Sequence, residues 1–452
     1  MHDLRQGANP AESQGSLLVL GLLALPAGAA AGLVGALFRL TLRRANDLRD
    51  VWIAHAHGST FEGFLLVVLT CSASALVAAW LVRRFSPYAS GSGIPHVEAV
   101  LHGQLHPSLD GLVLVKFVGG TLAIGSGLAL GREGPCVQMG ARLGYLAGQL
   151  CRLSLADCRV LFAAGAGAGL ATAFNAPFAG ALFVLEELVQ VLDRRIAIAA
   201  LAASATAIVV ARMLLGEAPD FHMPALGEPA AGALPLFFVL GGLAGLLAVA
   251  YNRTLLATLA AAGKLRGLPV EIRAGLIGAL VGSVAWFAPA LVGGGDAITQ
   301  RMLAGTETLA LVPLAFAVRF GLGAISYAAG TPGGLFAPLL VLGAQSGLLF
   351  GAVCRLLFPE LDIRPEAFAL VGMAAFFTGT VRAPLTGMVL VGEMTGNVTM
   401  LLPMLGACFT AALVPALLRN APIYDSLRED LLRREEIRRS KITSAKELTG
   451  AN

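Results

Sequence analysis

Charge is what this chain has little of. Lys, Arg, Asp and Glu make up 13% of its 452 residues, about half the roughly 25% of an ordinary soluble protein. That scarcity excludes a soluble enzyme of two or three domains, because charges are missing where solvated faces would be. With 56% hydrophobic residues and a mean hydropathy of +0.77, disorder and collagen are excluded as well. Cysteine is equally sparse. Cys71, Cys136, Cys151, Cys158, Cys354 and Cys408 lie mostly in apolar stretches without metal-ligand spacing, so they read as small core residues rather than a disulfide scaffold or metal site. The net charge of +4 is too small for a nucleic-acid surface and fits the basic bias of cytoplasmic loops. What remains is a polytopic membrane protein.

Thirteen of the charges fall between Asp425 and Glu447, so most of the body must face lipid or protein. A bilayer core takes about 20 helical residues to cross. Runs without a charge extend from Ser13 to Phe38, Gly63 to Val82, Val160 to Leu185, Ile196 to Ala211, Pro229 to Asn252, Ala274 to Gly295, Phe320 to Cys354 and Met394 to Leu418. They predict at least eight spans, with further helices around Leu112 to Leu130, Leu309 to Val318 and Ala367 to Val381. The first run is too long for a cleavable signal and lacks a clear cleavage site, which makes it an uncleaved first span. Glycine, at 55 residues, is enriched and clusters with proline inside apolar sequence. Helices broken at membrane depth follow, and such backbone must be buried in protein or line an aqueous cavity.

The chain repeats itself. GPCVQMGARLG matches APLLVLGAQSG, with Pro135 and Pro338, Gly140 and Gly343, and Gly144 and Gly347 each 203 apart. FNAPFAGALFVLEE matches VRAPLTGMVLVGEM, with Pro177 and Pro384, Gly180 and Gly387, and Glu186 and Glu393 each 207 apart. Two ordered matches at nearly one offset indicate duplication. The first copy ends on Asp193, Arg194 and Arg195 and the second on Thr395, Gly396 and Asn397, so the basic bias predicts ends on opposite sides and an inverted repeat. Such repeats place a substrate site near the midplane, where helix N-termini meet.

Three Gly-rich segments have the composition of helix starts aimed at an anion: GSGIP (Gly91 to Pro95), GREGP (Gly131 to Pro135) and GTPGGLFAP (Gly330 to Pro338). Glycine lets a ligand approach the backbone, and proline early in a helix loses no needed N–H. The start of a helix presents orphan donors and roughly half a positive charge. Several starts converging would replace an anion's hydration shell while still letting it leave. Glu133 lies within GREGP between apolar stretches, where a carboxylate costs about 2.5 to 3.5 kcal/mol or more. Beside an anion site that carboxylate would occupy the place of a permeant anion, and protonation would release it. The competing possibility is an ion pair to Arg132 or Lys116 that holds the fold. Glu186 and Glu187 end an apolar run, placed either to receive protons from the cytoplasm or to sit as boundary charges.

These segments, with the Asn-Ala-Pro and Arg-Ala-Pro repeats and the Pro-Ile-Tyr after Asn420, resemble the CLC family of chloride channels and chloride/proton antiporters from about Leu17 to Arg433, in its bacterial type. The resemblance implies an all-α inverted-repeat bundle of about eighteen tilted, partly discontinuous helices. It also implies a homodimer with one ion path per subunit, chloride and protons as substrates, no cofactor, and residence in a bacterial inner membrane. By the same resemblance the Ser92 and Tyr424 hydroxyls and the backbone N–H groups of Leu335 and Phe336 coordinate the central anion. Glu133 is the external gate, amides around Arg132 and Gly134 form the external anion site, and Glu187 is the internal proton relay. Ser92 matches the chloride-selective pattern, whereas nitrate-selective members resemble it with proline and fluoride-selective ones with asparagine.

The chain is expected to divide into a cytoplasmic segment (1–16), two membrane repeats (17–215 and 216–424) and a charged cytoplasmic tail (425–452). That tail is too short for the paired nucleotide-binding domains of many eukaryotic members. His96 departs from the pattern, in which relatives often carry glutamate. Other classes are weaker. A serine hydrolase built on Ser92 and His96 has a proline between nucleophile and base and no third orienting group. The pairs His55/His57 and His102/His106, expected in loops, lack carboxylate or Cys partners at ligand spacing. A passive gated chloride channel is the main alternative, and an organic-anion carrier a remote one.

Overall fold

A computed structural model describes residues 10–107, 111–265 and 267–449. The described residues are helical apart from loops and two isolated β-bridges. The first half holds α1 (Pro10–Ala56), α2 (Thr60–Phe85), α3 (Ile94–Leu101), α4 (Leu112–Gly125), α5 (Glu133–Leu150), α6 (Leu155–Phe174), α7 (Pro177–Phe183) running into a π-helical turn (Val184–Leu188), and α8 (Arg194–Leu215). The second holds α9 (Leu234–Lys264), α10 (Val270–Phe287), α11 (Asp296–Leu303), α12 (Val312–Tyr327), α13 (Phe336–Leu357), α14 (Pro365–Val381), α15 (Pro384–Thr395) and α16 (Leu401–Leu417). After both comes α17 (Ile423–Thr449), which carries the charged tail. Residues 1–9 of the segment assigned to 1–16, and 450–452 of the tail, lie outside the described residues.

Among the described residues eight helices are long and apolar enough to cross a bilayer, and this is a multi-pass membrane protein. They are not the eight charge-free runs. The run Val160 to Leu185 is cut where Asn175 adopts a left-handed φ of 53° and Pro177 begins α7. The run Phe320 to Cys354 is cut by the extended segment between α12 and α13, and Met394 to Leu418 by Gly396 at φ 66°. Conversely, α1 continues through Arg39, Arg43 and Arg44. The reason is physical: a helix ends where backbone geometry and capping end it, and a charge that finds a partner, as Arg39 does, or stays exposed, as Arg43 and Arg44 do, does not stop it. His55 also lies inside α1 rather than in a loop.

The repeat is complete, α1 to α8 answering α9 to α16. The most extensively packed helix pairs are α5 with α6 and α13 with α14. Both depend on glycine: a Cβ on Gly140 would collide with the Gly165 carbonyl, and one on Gly343 with that of Gly372. Small residues that let backbones approach are how membrane helices gain dispersion energy without a hydrophobic driving force. In α6 and α13, 78% of the apolar window is buried, against 33–44% in the other six spans. These two, with α5 and α14 packed on them and largely buried, form the centre, and the other six spans leave most of their surface uncovered.

A reciprocal pair of caps fixes the inversion. Glu186, in the π turn after α7, accepts from the amides of Leu385 (3.0 Å) and Thr386 (2.6 Å) at the start of α15. Glu393, near the end of α15, accepts from those of Phe178 (3.1 Å) and Ala179 (2.8 Å) at the start of α7. Each helix's start meets the other's end, so the two are antiparallel, as inverted duplication requires. The carboxylates satisfy orphan donors and complement the positive ends of the helix dipoles.

Candidate anion and proton site

The three Gly-rich segments meet in the middle of the molecule. Gly91 donates to the Thr331 carbonyl and accepts from Gly333, both at 3.0 Å, while Gly131 and Gly334 exchange two bonds of 2.8 and 2.7 Å. GSGIP and GREGP are thus each zipped to GTPGGLFAP by a two-residue bridge. From these bridges α3, α5 and α13 depart, so three helix starts cluster as the spacing of glycine and proline predicts. Gly93, at φ 85°, turns the chain into α3, a conformation that costs most residues dearly and glycine little.

Ser92 and Tyr424 are fully buried, and their hydroxyls face each other with no hydrogen bond of ordinary geometry to either. Buried polar groups are ordinarily paired, so two orphan hydroxyls at three helix starts mark a position for a ligand. The Ser92 amide donates to the Tyr327 hydroxyl at 3.3 Å. Gly134 passes so close to Ser92 that a Cβ there would strike its backbone and hydroxyl. The Tyr424 ring stacks on Phe336 at 6.1 Å, and Phe336 is packed by Phe174, Phe183 and Phe377. Leu335 and Phe336 stand at the N-cap and first turn of α13, where backbone N–H groups lack intrahelical acceptors. The sequence offers Lys116 only as an ion-pair partner for Glu133, and the structure gives it a different role. Fully buried, it donates to the carbonyls of Ala89 (3.0 Å) and Gly91 (2.7 Å), pinning the loop that carries Ser92. Its signal was a lone lysine in an apolar helix.

Glu133 is the first residue of α5 and 1% exposed. One carboxylate oxygen takes the Ala337 amide of α13 at 3.4 Å, and the other has no partner. The ion pair that would have made it structural is absent. Arg132 donates instead to the Ala173 carbonyl (3.0 Å), Asp296 (2.8 Å) and Asp220 (3.1 Å), and Lys116 is committed to its carbonyls. Ala337 is a residue that sequence reading missed, although it falls inside GGLFAP. A cavity of about 790 Å³ opens onto Glu133, Gly131, Arg132 and Ala337.

Glu187 is 5% exposed inside the π turn, so it is no solvated boundary charge. The extra residue of a π turn re-aims the side chains that follow, and such turns occur often at functional sites. Here Glu186 turns out to cap α15 while Glu187 stays buried. Glu98 of α3, unassigned from sequence, is buried with Arg428 of α17 3.7 Å away. His96 is also packed away, 3% exposed, its ring 4.7 Å from that of Tyr88 and Nδ1 3.2 Å from Gln138 Nε2. His57 stacks on Trp286 at 4.0 Å, and no cluster of His, Cys, Asp or Glu among the described residues has the geometry of a metal site.

Residues 74–416 match the family described as voltage gated chloride channel. The chain belongs to that family. It is 38% identical over 428 residues to an H(+)/Cl(-) exchange transporter ClcA of Vibrio parahaemolyticus, covering 93% of this chain and 91% of the relative. The transporter of that name from Salmonella typhi is 35% identical over 428 residues, covering 93% and 90%. Among solved CLC structures, a slow cyanobacterial Cl-/H+ antiporter superposes with a TM-score of 0.88 at 32% identity, covering 92% of this chain and 99% of that one. A CLC-type fluoride/proton antiporter, 22% identical with a TM-score of 0.76, shares the fold.

Proposed function

We propose that the protein exchanges chloride for protons across a bacterial inner membrane as a secondary active transporter. In this role Glu133 is the external gate and proton acceptor, and Glu187 the internal relay. One observation carries the proposal: the Glu133 carboxylate lies, without a cation, at the start of α5 against the amide of Ala337 from the start of α13. A carboxylate that takes an amide aimed at an anion stands where the anion would stand. Protonation removes its charge and frees the position. Chloride would then sit between the Ser92 and Tyr424 hydroxyls and the amides of Leu335 and Phe336, with amides near Arg132 and Gly134 receiving it next. The half-charges of helix ends suit a transported ion, because they attract it without the tight grip of a full countercharge.

A coupled path needs a second protonatable group that bypasses the anion. Glu187 meets that need, being buried on the run whose end Arg194 and Arg195 mark as cytoplasmic. The relatives named as H(+)/Cl(-) exchangers support the same activity. Residues 17–215 and 216–424 form the two transport repeats, 425–452 the cytoplasmic tail, and two copies assemble as a dimer with one path each. The test is purified protein in liposomes, with chloride and proton movement recorded together. Chloride running down its gradient is expected to drive protons uphill in the opposite direction. Chloride flux with no proton movement at any pH where flux is measurable would make this a passive channel.

A further inference from the structure

Arg132 is the nearest cation to the gate in the chain, yet it does not touch it. Its Nε and both terminal nitrogens are taken by the Ala173 carbonyl, Asp296 and Asp220. Asp220 is shared: its other oxygen pairs with Arg39 of α1, which is 4% exposed and also donates to the Thr172 carbonyl at 2.9 Å. Asp220 lies in the connection between α8 and α9, and that connection is tied down on several sides. Asn175 donates to the Ala218 carbonyl at 3.0 Å, the Phe221 amide to the Met394 carbonyl at 3.0 Å, and His222 and Gln300 exchange bonds of 2.9 and 2.6 Å. Asp296, the first residue of α11 and part of the lining of the same cavity, closes the network. Two arginines and two aspartates thus cancel in charge directly beside Glu133.

We propose that Asp296 and Asp220 are positioning residues for the gate: they hold the Arg132 guanidinium off Glu133 and neutralise it, so that the gate carboxylate stays free to be protonated and released. This rests on Glu133 being the gate. Without the two aspartates the Arg132 guanidinium is neither neutralised nor held away from a carboxylate with an unpartnered oxygen, and the ionised, closed gate gains a partner. The groups that face Glu133 are Arg132 before it, Cys136 on its own helix, Asp296 of α11 and Tyr424 of α17, with Arg39 and Asp220 behind Arg132. Of these Asp296 has the most exposed side chain, at 50%, and changing it leaves Arg132 its bonds to Asp220 and the Ala173 carbonyl.

The test is exchange in liposomes as a function of external pH for wild type, Asp296→Asn, Asp296→Glu, and Asp296→Asn combined with Glu133→Gln. Removing one negative charge and freeing one guanidinium donor favours the ionised gate. The half-maximal pH of chloride transport is therefore expected to move down by roughly one unit in Asp296→Asn, an opposite charge within reach being worth one to three. Asp296→Glu should restore the wild-type profile. In the Glu133→Gln background Asp296→Asn should leave the profile unmoved. A wild-type profile in Asp296→Asn, or the same shift with Glu133→Gln present, overturns the proposal. Glu133→Gln alone tells its failure from that of the gate assignment: if that variant keeps proton coupling, both fall, and if it uncouples while Asp296→Asn changes nothing, only the positioning role falls. Asp220→Asn, read by the same profile, should shift it in the same direction.

Discussion

The two halves of this molecule share a skeleton and differ in chemistry. Lys116 and Arg319 stand 203 apart, both buried; Lys116 holds the Ala89 and Gly91 carbonyls, and Arg319 those of Leu291, Gly293 and Gly294. Gly93 and Gly295 start α3 and α11 from the same left-handed conformation, at φ 85° and 96°. Glu186 and Glu393 cap each other's repeats. At the positions given a transport role the match is lost: Glu133 faces Phe336 across the repeat, Glu187 faces Met394, Ser92 faces Gly294, and Tyr424 lies on a helix outside both repeats. What both copies keep builds the frame, and the side chains proposed for transport are ones that no repeat partner matches.

The comparison breaks most visibly at Glu133 and Phe336. Glu133→Ala should leave chloride flux in liposomes while proton coupling falls at least about a hundredfold, since general acid–base groups contribute on that order. Glu187→Gln should abolish proton movement and let chloride pass. Phe336→Leu, at the matching helix start, should keep the coupling. Uphill proton movement surviving in Glu133→Ala would show that the asymmetric carboxylate is not the gate.

Ser92 and Gly294 sharpen the comparison at the next level. Ser92→Pro removes the hydroxyl and the backbone N–H, and a hydrogen bond to an ion is worth about 1.5 to 3 kcal/mol. Chloride should therefore lose about tenfold or more relative to nitrate, a weakly hydrated planar ion that depends less on one donor. Gly294 has room for a side chain, its nearest neighbour being the Leu130 carbonyl 3.6 Å from a Cβ. Gly294→Ser, which adds a hydroxyl to the other copy, should leave relative permeabilities unchanged in anion-replacement flux assays.

How much of this the sequence disclosed follows from the same division. The fold class, the duplication and the three anion-facing segments were legible because glycine, proline and charge scarcity are local and unambiguous. Glu133 and Glu187 stood out because a carboxylate in apolar sequence is expensive. Helix ends were less legible: Asn175 and Arg382 take positive φ at 53° and 75°, which nothing but the Ala-Pro after each announces. Ala337, Asp220 and Asp296 were invisible as site residues because each acts on a partner far away in the chain. Asp220 lies 181 residues from Arg39 and 88 from Arg132, and no spacing rule reaches that far.

Lys116 and Arg319 separate frame from chemistry by stability. Replacing either with Met leaves buried carbonyls short of a donor while removing a desolvated charge, a net loss of about 2 kcal/mol. Both variants should unfold at lower temperature in detergent by similar amounts. Only Lys116→Met should also weaken chloride binding in calorimetry, because the loop it pins carries Ser92. Equal loss of chloride affinity in the two would mean that the second copy's loop is also part of the anion site.

The smallest expected effect is the most discriminating, because it sets neighbouring residues against each other. Glu186 and Glu187 are adjacent, both carboxylates, both in the π turn, and simple proximity to the proton path would give them one role. The repeat gives them two. Glu186 has a counterpart in Glu393 and spends its oxygens on two amides and the Thr386 hydroxyl; Glu187 has Met394 opposite it and no such duty. Glutamine in place of a capping carboxylate keeps an acceptor and loses the charge, which costs about 0.3 to 1 kcal/mol at a helix start. Glu186→Gln and Glu393→Gln should therefore each lower the unfolding midpoint slightly and by similar amounts, with the chloride-to-proton ratio unchanged in both. A Glu186→Gln protein that still folds but no longer moves protons would assign the relay to the capped carboxylate, and the rule that matched residues serve the frame would fail at its closest test.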